Sequence, residues 1–457
     1  MLFSSIPFLY YFLPAVVMLY FLVPSKAKNA FLLLSSLLFY AWGEQKYFAL
    51  MMFSIVAYYG FGLAIQYSNR KKLWLSLAVA TGVGMLLIFK YLDFFMGSFT
   101  ALLGLSPIAW KLALPIGISF YTFQCISYCI DVYRGDTQAQ NNLLDFGTYV
   151  ALFPQLIAGP IVRYVDVQSQ LLQRSHSIEN ITEGLPRFLI GLGKKVILAN
   201  NLALPVAYYR DSPAPTVLFA WLYAIAFTLH IYFDFSGYSD MAIGLGRIFG
   251  FHFPENFRHP YVSGSITEFW RRWHMTLGQW FRDYVYIPLG GNRVGKGRWI
   301  LNLLAVWMLT GLWHGAAWNF VAWGLLFALL LLLEKNFPVL TRLPSVLKAV
   351  YVMGIVTISF VIFNAEGLTQ AVRDLSAMFG LAGLPLYNRE SLYYLTSFAP
   401  LLLISAVGAT PLLSHLQQWL PKTAAAAGSC LALLAILLVC TAYLVDGSFN
   451  PFLYFRF

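Results

Sequence analysis

Apolar stretches long enough to cross a bilayer recur along almost the whole chain, and this constrains the fold before any other feature does. A membrane-crossing helix needs about 20 predominantly apolar residues. Runs of this character fall near 7–23, 29–42, 47–66, 73–95, 113–130, 143–160, 185–208, 216–235, 299–333, 346–364, 397–413 and 424–445. The 299–333 run is too long for one crossing and suggests two. With half-length pieces allowed for, the pattern predicts about 10 to 13 membrane segments in a polytopic, all-α bundle. Membrane barrels are written as short alternating segments instead, and none is visible. Only 11% of the residues are charged, against about a quarter in soluble domains, which argues against a water-soluble chain. No linker or charge run separates two folding units and no internal repeat is apparent, so residues 1–457 read as one domain.

The formal net charge is +11. In a soluble protein that would suggest nucleic acid; here it fits basic cytoplasmic loops facing anionic lipid head groups. "SKAK" (25–28) and "NRKK" (69–72) are basic, while the intervening "GEQK" (43–46) is neutral. The positive-inside rule then sets 25–28 and 69–72 in the cytoplasm and the N-terminus outside. A third basic loop, "GGNRVGKGR" (290–298), is expected on the cytoplasmic side as well. The N-terminus lacks a basic n-region and a small-residue cleavage site, and reads as a retained first span. Cys125, Cys129, Cys430 and Cys440 all sit in apolar runs, without the histidines or tight pairing of a metal site. They are expected to be small buried hydrophobes.

Residues 265–289, "SITEFWRRWHMTLGQWFRDYVYIPL", break the spanning pattern. Ser265 and Glu268 have capping-box spacing and announce a helix start. Trp270, Trp273, Leu277, Trp280, Phe281 and Tyr284 then recur at three- and four-residue steps, predicting one helix with an aromatic face. Such a helix fits an interfacial or re-entrant position. On it, His274 would lie one turn from Arg271, so that imidazole and guanidinium share a face. The segment runs into Gly290–Gly291 with Arg293, Lys296 and Arg298 beyond, a loop able to hold a phosphate-bearing ligand. It matches no phosphate-binding pattern.

Two further clusters are polar within apolar surroundings. In "HIYFDFSGYSDMAIG" (230–244), Asp234 and Asp240 follow a long apolar run, and intramembrane carboxylates face a bundle interior or a wet cavity. His230 and Asp234 are one helical turn apart, within reach of a hydrogen bond. Packing network and catalytic site both stay open as readings of this cluster. In "TGLWHGAAWNF" (310–320), His314 stands in a run, Leu301–Leu333, that contains no Asp, Glu, Lys or Arg. A core histidine and a functional one are both compatible with that. Gly311 and Gly315 flank Trp313–His314, positions where the backbone can bend or a ligand approach closely.

Taken in order, "YFDFSGYSDMAIGLG" (232–246), "PENFRHPY" (254–261), "EFWRRWHMTLGQWFRDYVYIPLGGNR" (268–293) and "LTGLWHGAAWNFVAWG" (309–324) resemble the membrane-bound O-acyltransferase family. The likeness is to the bacterial branch that O-acetylates exported polysaccharides. "LPIGISFYTFQCISYCIDVYRGD" (114–136) and "FPQLIAGPIVRYVDV" (153–167) also resemble that branch. The resemblance covers roughly residues 1–335, with the motif-bearing core at about 110–335.

The resemblance implies a multi-helix membrane fold pierced by a tunnel, in the bacterial inner membrane. Acetyl-CoA is the implied acyl donor from the cytoplasm, with no permanent cofactor and no metal, and the acceptor is a polysaccharide hydroxyl on the far side. A periplasmic serine-hydrolase-like (SGNH) acetyltransferase is the implied protein partner, and no nucleic acid is involved. By the family motifs, His314 matches the catalytic histidine and His274 the second histidine. A neutral imidazole is the usual base near neutral pH, and burial favours the neutral form. His314 is therefore expected to act as general base, with His274 orienting the thioester or stabilising developing charge. Arg271, Arg293, Lys296 and Arg298 are candidates for the donor's phosphates, and Trp313, Asp234, Tyr238 and Asp240 for lining the tunnel. Two other classes compete: a transporter or flippase using His230, Asp234 and Asp240 for ion coupling, and a scaffold in an export complex.

Overall fold

A computed structural model describes residues 2–106, 110, 112–337, 344–412, 415 and 421–447. The described residues are helical wherever they are regular, and no strand occurs among them. Among the described residues, eight helices are long and apolar enough to cross a membrane, from Gln45–Tyr67 to Ala426–Val445. The expected split of the 299–333 run is real: Lys296–His314 and Trp318–Asn336 are separate helices. Other runs fall short of a full crossing. Phe8–Leu22, Lys28–Gly43 and Ile118–Arg134 have 15, 16 and 17 residues, and the 143–160 run divides into Leu143–Ala151 and Phe153–Leu156.

The chain forms two compact units, Met1–Phe188 with Ser239–Glu255, and Leu189–Tyr238 with Asn256–Phe457. In the first, helix Ile118–Arg134 is buried along almost its entire length. Tyr128 on this helix fills the space left by the missing side chain of Gly62 in helix Phe48–Tyr67. Tyr58 from the latter donates to the Ala78 carbonyl at 3.0 Å. Phe8, Phe39 and Phe153 close one end, with ring centroids 5.6–6.3 Å apart. Cys125 and Cys129 are buried here as expected, and Cys440 is buried in the second unit, but Cys430 is exposed.

The second unit is organised by the helical hairpin Lys296–His314 and Trp318–Asn336. Gly311 and Gly324 face each other across it, and a Cβ on either would collide with the partner's backbone, at Phe320 or Trp307 respectively. The two helices thus approach to backbone contact, as small residues permit in membrane bundles. Trp270 packs edge to face against Trp307, Trp323 and Phe327 of this hairpin, 4.8 Å from both Trp307 and Phe327.

One expectation fails in this unit. Residues 265–289 are not one helix but two short ones, Ile266–Arg272 and Met275–Phe281, followed by a wider helical turn at Arg282–Tyr286. The chain breaks at Trp273 and His274, and His274 takes the left-handed conformation, φ 42° and ψ 52°. Arg271 and His274 therefore do not share a helical face.

The contact at the hairpin crossing gives a matched pair of variants. Gly324→Ala should destabilise the detergent-solubilised protein by about 1–3 kcal/mol, the range for overpacking. Gly60→Ala, in a helix where a Cβ meets nothing within 4 Å, should be neutral or slightly stabilising, because alanine holds a helix better than glycine. Thermal unfolding of the two variants against wild type measures the difference.

Candidate functional site

His314 is the last residue of its helix, and the next residue, Gly315, is extended. A Cβ at Gly315 would collide with the Phe320 ring, so glycine is needed for the chain to turn this tightly into the second arm. Both flanking glycines thus serve the hairpin, Gly311 by admitting backbone and Gly315 by admitting Phe320. The end of helix Ser345–Asn364 is tied to the same arm. Asn319 donates its amide to the carbonyls of Ile362 at 3.2 Å and Ala365 at 2.8 Å, taking up carbonyls that a helix end leaves without partners. This brings Phe363 against His314. The imidazole, 3% exposed, sits edge to face among Trp313, Trp323 and Phe363, at 5.0–5.2 Å between ring centroids.

His274 is placed by a different device. A left-handed backbone costs a non-glycine residue about 1–2 kcal/mol, and such strain persists only where the surroundings over-determine it. Here they do. The Arg258 amide donates to the Arg272 carbonyl, and the Met275 amide to the Asn256 carbonyl, both at 2.9 Å. The side-chain oxygen of Asn256 lies 3.0 Å from His274 Nδ1 and accepts from the Thr276 hydroxyl at 2.9 Å. At the front of the segment, Ser265 caps the Glu268 amide at 3.0 Å, as its spacing predicts. The buried Glu334 carboxylate accepts from the amides of Ile266 and Thr267 at 2.6 and 2.9 Å. A carboxylate at a helix N-terminus meets both free N–H groups and the positive end of the dipole.

The hydrogen bond to Asn256 fixes the chemistry of His274. Because that oxygen also receives the Thr276 hydroxyl, it acts as an acceptor, so Nδ1 carries the proton. The lone pair of the neutral ring is then on Nε2, which is buried and has no hydrogen-bond partner among the described residues. His274 is 2% exposed, and burial pushes its pKa down to about 3. The imidazole is therefore neutral throughout the physiological range, with the lone pair of one buried nitrogen not engaged by a hydrogen bond among the described residues. Phe235 meets it edge-on at 4.6 Å.

Trp313 connects the two histidines. Its ring lies 5.6 Å from His274 and 5.0 Å from His314, so two imidazoles flank one indole inside an aromatic enclosure. The other sequence candidates lie elsewhere. Asp234 accepts from Lys195 Nζ at 2.5 Å in a fully buried ion pair. Asp240, in the first unit, is paired with Arg187 at 2.9 Å, and Arg187 also holds Glu255. Tyr238 is buried. Arg271, Arg293, Lys296 and Arg298 are all exposed, and among the described residues none forms an ion pair. Asn256 and Glu334 are not singled out in the sequence; Asn256 lies within the stretch 254–261 without a role of its own, and Glu334 is the first acid after the uncharged 301–333 stretch.

The model of the membrane-bound O-acyltransferase family matches residues 138–369, a span that holds both histidines. Relatives include the probable alginate O-acetylase AlgI of Pseudomonas syringae pv. tomato, 45% identical over 404 residues, 86% of this chain and 78% of that protein. The peptidoglycan O-acetyltransferase of Helicobacter pylori is 36% identical over 84% of this chain and 81% of its own. The teichoic acid D-alanyltransferase of Bacillus subtilis is 31% identical over 54% and 67%.

Replacing Asn256 tests whether a neutral, oriented His274 matters for acyl transfer. Asn256→Asp keeps the acceptor but adds a negative charge, which favours the protonated imidazole and raises the His274 pKa. The pH–rate profile of this variant should gain a falling limb on the acid side that wild type lacks. Asn256→Ala should instead lower the rate at every pH, with no new limb.

Proposed function

The chain belongs to the membrane-bound O-acyltransferase family, a polytopic O-acyltransferase by descent, and from that premise we propose that it acetylates the hydroxyls of an exported or periplasmic polysaccharide. Acetyl-CoA in the cytoplasm is the donor in this reading, and an alginate-like polymer is the favoured acceptor, with cellulose or peptidoglycan as the others. The likeness to an alginate O-acetylase over most of both chains supports the first choice. The likeness to a peptidoglycan O-acetyltransferase keeps the last in view. The protein would sit in the bacterial inner membrane with its N-terminus in the periplasm. There it would act with a serine-hydrolase-like (SGNH) partner.

The observation that carries the reading is the pair of buried imidazoles on either side of Trp313. Acetyl transfer from a thioester to a hydroxyl forms a carbon–oxygen bond and breaks a carbon–sulfur bond, and the hydroxyl proton must leave as its oxygen attacks. His314 is the general base that takes this proton and returns it to the departing thiolate. His274, with its proton committed to Asn256, offers only a lone pair toward the site. It can therefore accept a hydrogen bond from a hydroxyl and orient it, but it cannot donate to a carbonyl oxygen unless protonated. That narrows its role to positioning the acceptor or relaying the proton.

Arg271, Arg293, Lys296 and Arg298 fit the donor's phosphates because they are exposed cations without ion-pair partners on a glycine-containing loop and its approach. Trp313 lines the enclosure between the histidines, and Asp234, Tyr238 and Asp240 are proposed along the tunnel. The ion pairs of both aspartates suit a structural role there better than the ion coupling of a transporter.

His314→Ala should reduce O-acetyl groups on the exported polymer by about 10²–10⁴-fold in rate, the usual worth of a positioned base. Protein abundance and membrane insertion should be unchanged, and the polymer should still be exported. Base-released acetate from the purified polymer is the measurement. Normal acetylation in this variant would sink the enzyme reading, and loss of export would favour the transporter.

A further inference from the structure

A second cluster of basic groups lies in the first unit, and the acyl-transfer chemistry makes no use of it. Lys28, Arg174 and His176 converge on a single tyrosine, Tyr20. The Lys28 ammonium stands 4.5 Å above the Tyr20 ring and 5.3 Å from that of Phe21. His176 Nε2 is 2.7 Å from the Tyr20 hydroxyl, and Arg174 Nε donates to the same oxygen at 3.3 Å. The Arg174 guanidinium also covers the Phe251 ring at 4.4 Å. Tyr20 itself is anchored by donating to the Phe249 carbonyl at 3.0 Å.

What sets the cluster apart is the absence of a compensating acid. Among the described residues none of these three basic groups forms an ion pair, although Lys28 is only 8% exposed. Lys and Arg are almost never this covered unless paired. Two acids of the same unit are committed elsewhere: Glu183 pairs with Arg247, and Asp145 accepts from Asn29. Burial lowers the Lys28 pKa, with Arg174 adding to the effect, and burial lowers that of His176, with Lys28 and Arg174 adding to it. The Lys28 and Arg174 charges thus repel each other in this state. A bound anion would relieve that repulsion.

We infer that Lys28, Arg174 and His176 form a binding site for a phosphoryl group, filled by the headgroup of an acidic phospholipid. Cation fork, ammonium and imidazole are the donor types that phosphate oxygens take. Two sources carry such a group, membrane lipid and the phosphates of coenzyme A. The surroundings favour lipid: Leu22, Leu172 and Ile178, in or directly beside the segments that carry the cluster, are exposed apolar side chains, suited to acyl chains rather than to a nucleotide. Lys26 and Lys28 also lie on the basic loop that the positive-inside rule assigns to the cytoplasmic face, where basic pockets at helix ends take acidic headgroups. The site uses none of the residues of the proposed catalytic machinery and does not depend on the acceptor being a polysaccharide.

The test is lipid retention by the full-length protein, reconstituted in phosphatidylcholine vesicles with or without phosphatidylglycerol and read by native mass spectrometry. Wild type should retain phosphatidylglycerol in preference to phosphatidylcholine. The double variant Lys28→Gln/Arg174→Gln should bind it about tenfold or more weakly. Lys28→Arg, which keeps the charge, should retain it, and so should His314→Ala. Single Lys28→Gln carries the comparison with Lys28→Arg if the double variant does not fold. Equal retention by a folded glutamine variant, or no headgroup preference in wild type, overturns the proposal. Displacement of the lipid by free coenzyme A, with the same variants weakening coenzyme A binding, overturns the assignment to lipid.

Discussion

The hydrogen bond between His274 and Asn256 binds together the strained backbone, the tautomer and the neutral charge state of the second unit's site. An imidazole removed from water keeps its proton-accepting capacity only if its N–H is satisfied and its other nitrogen is left open. Asn256 meets the first condition and the aromatic enclosure of Phe235 and Trp313 the second. The same asparagine receives Thr276 and accepts a backbone bond from the Met275 amide, so the residue that sets the tautomer also holds the left-handed turn. A carboxylate in its place would keep the geometry but alter the charge, whereas the amide adds no charge beside the imidazole.

His314 depends on a different constraint, the close approach of two helices. Gly311, Gly315 and Gly324 remove the atoms that would keep the hairpin arms apart, and the turn then presents His314 at a helix end rather than in mid-helix. A helix end leaves backbone carbonyls without partners, and polar side chains answer this across the unit. Asn319 takes up the carbonyls beside Phe363, and Glu334 takes up the free amides before His274. Both come from the second arm of the hairpin. One helix therefore fixes the surroundings of both histidines, which accounts for their convergence on Trp313 from distant parts of the sequence.

Much of this was legible in residues alone, and the failures have physical causes. Apolar runs reported the helices because burial in lipid leaves a compositional trace, and the 299–333 run was long enough to demand its own break. His314 was conspicuous because nothing else in its run titrates. The kink at Trp273–His274 was not legible. A three- and four-residue aromatic spacing fits a continuous helix, and only tertiary hydrogen bonds from Asn256 and Arg258 override it. Asn256 itself sits in a polar loop where an asparagine needs no explanation, and Glu334 at the end of a span resembles an ordinary interfacial charge. Pairings such as Lys195 with Asp234 are equally hidden, since they join residues 39 positions apart without a motif.

Charge compensation sorts the basic groups of this chain by what they serve. A cation taken out of water is costly unless paired, and the structural ones are paired: Lys195 with Asp234, Arg187 with Asp240 and Glu255, Arg210 with Asp374. Those pairs tie helices together and leave no charge over for a ligand. The exposed Arg271, Arg293, Lys296 and Arg298 remain solvated and can lose water to an anion at little cost. Lys28 and Arg174 fit neither group, being partly withdrawn from water yet without an acid. Beside the acid-paired Lys195, Arg187 and Arg210, an anion that the protein does not itself supply would compensate Lys28 and Arg174.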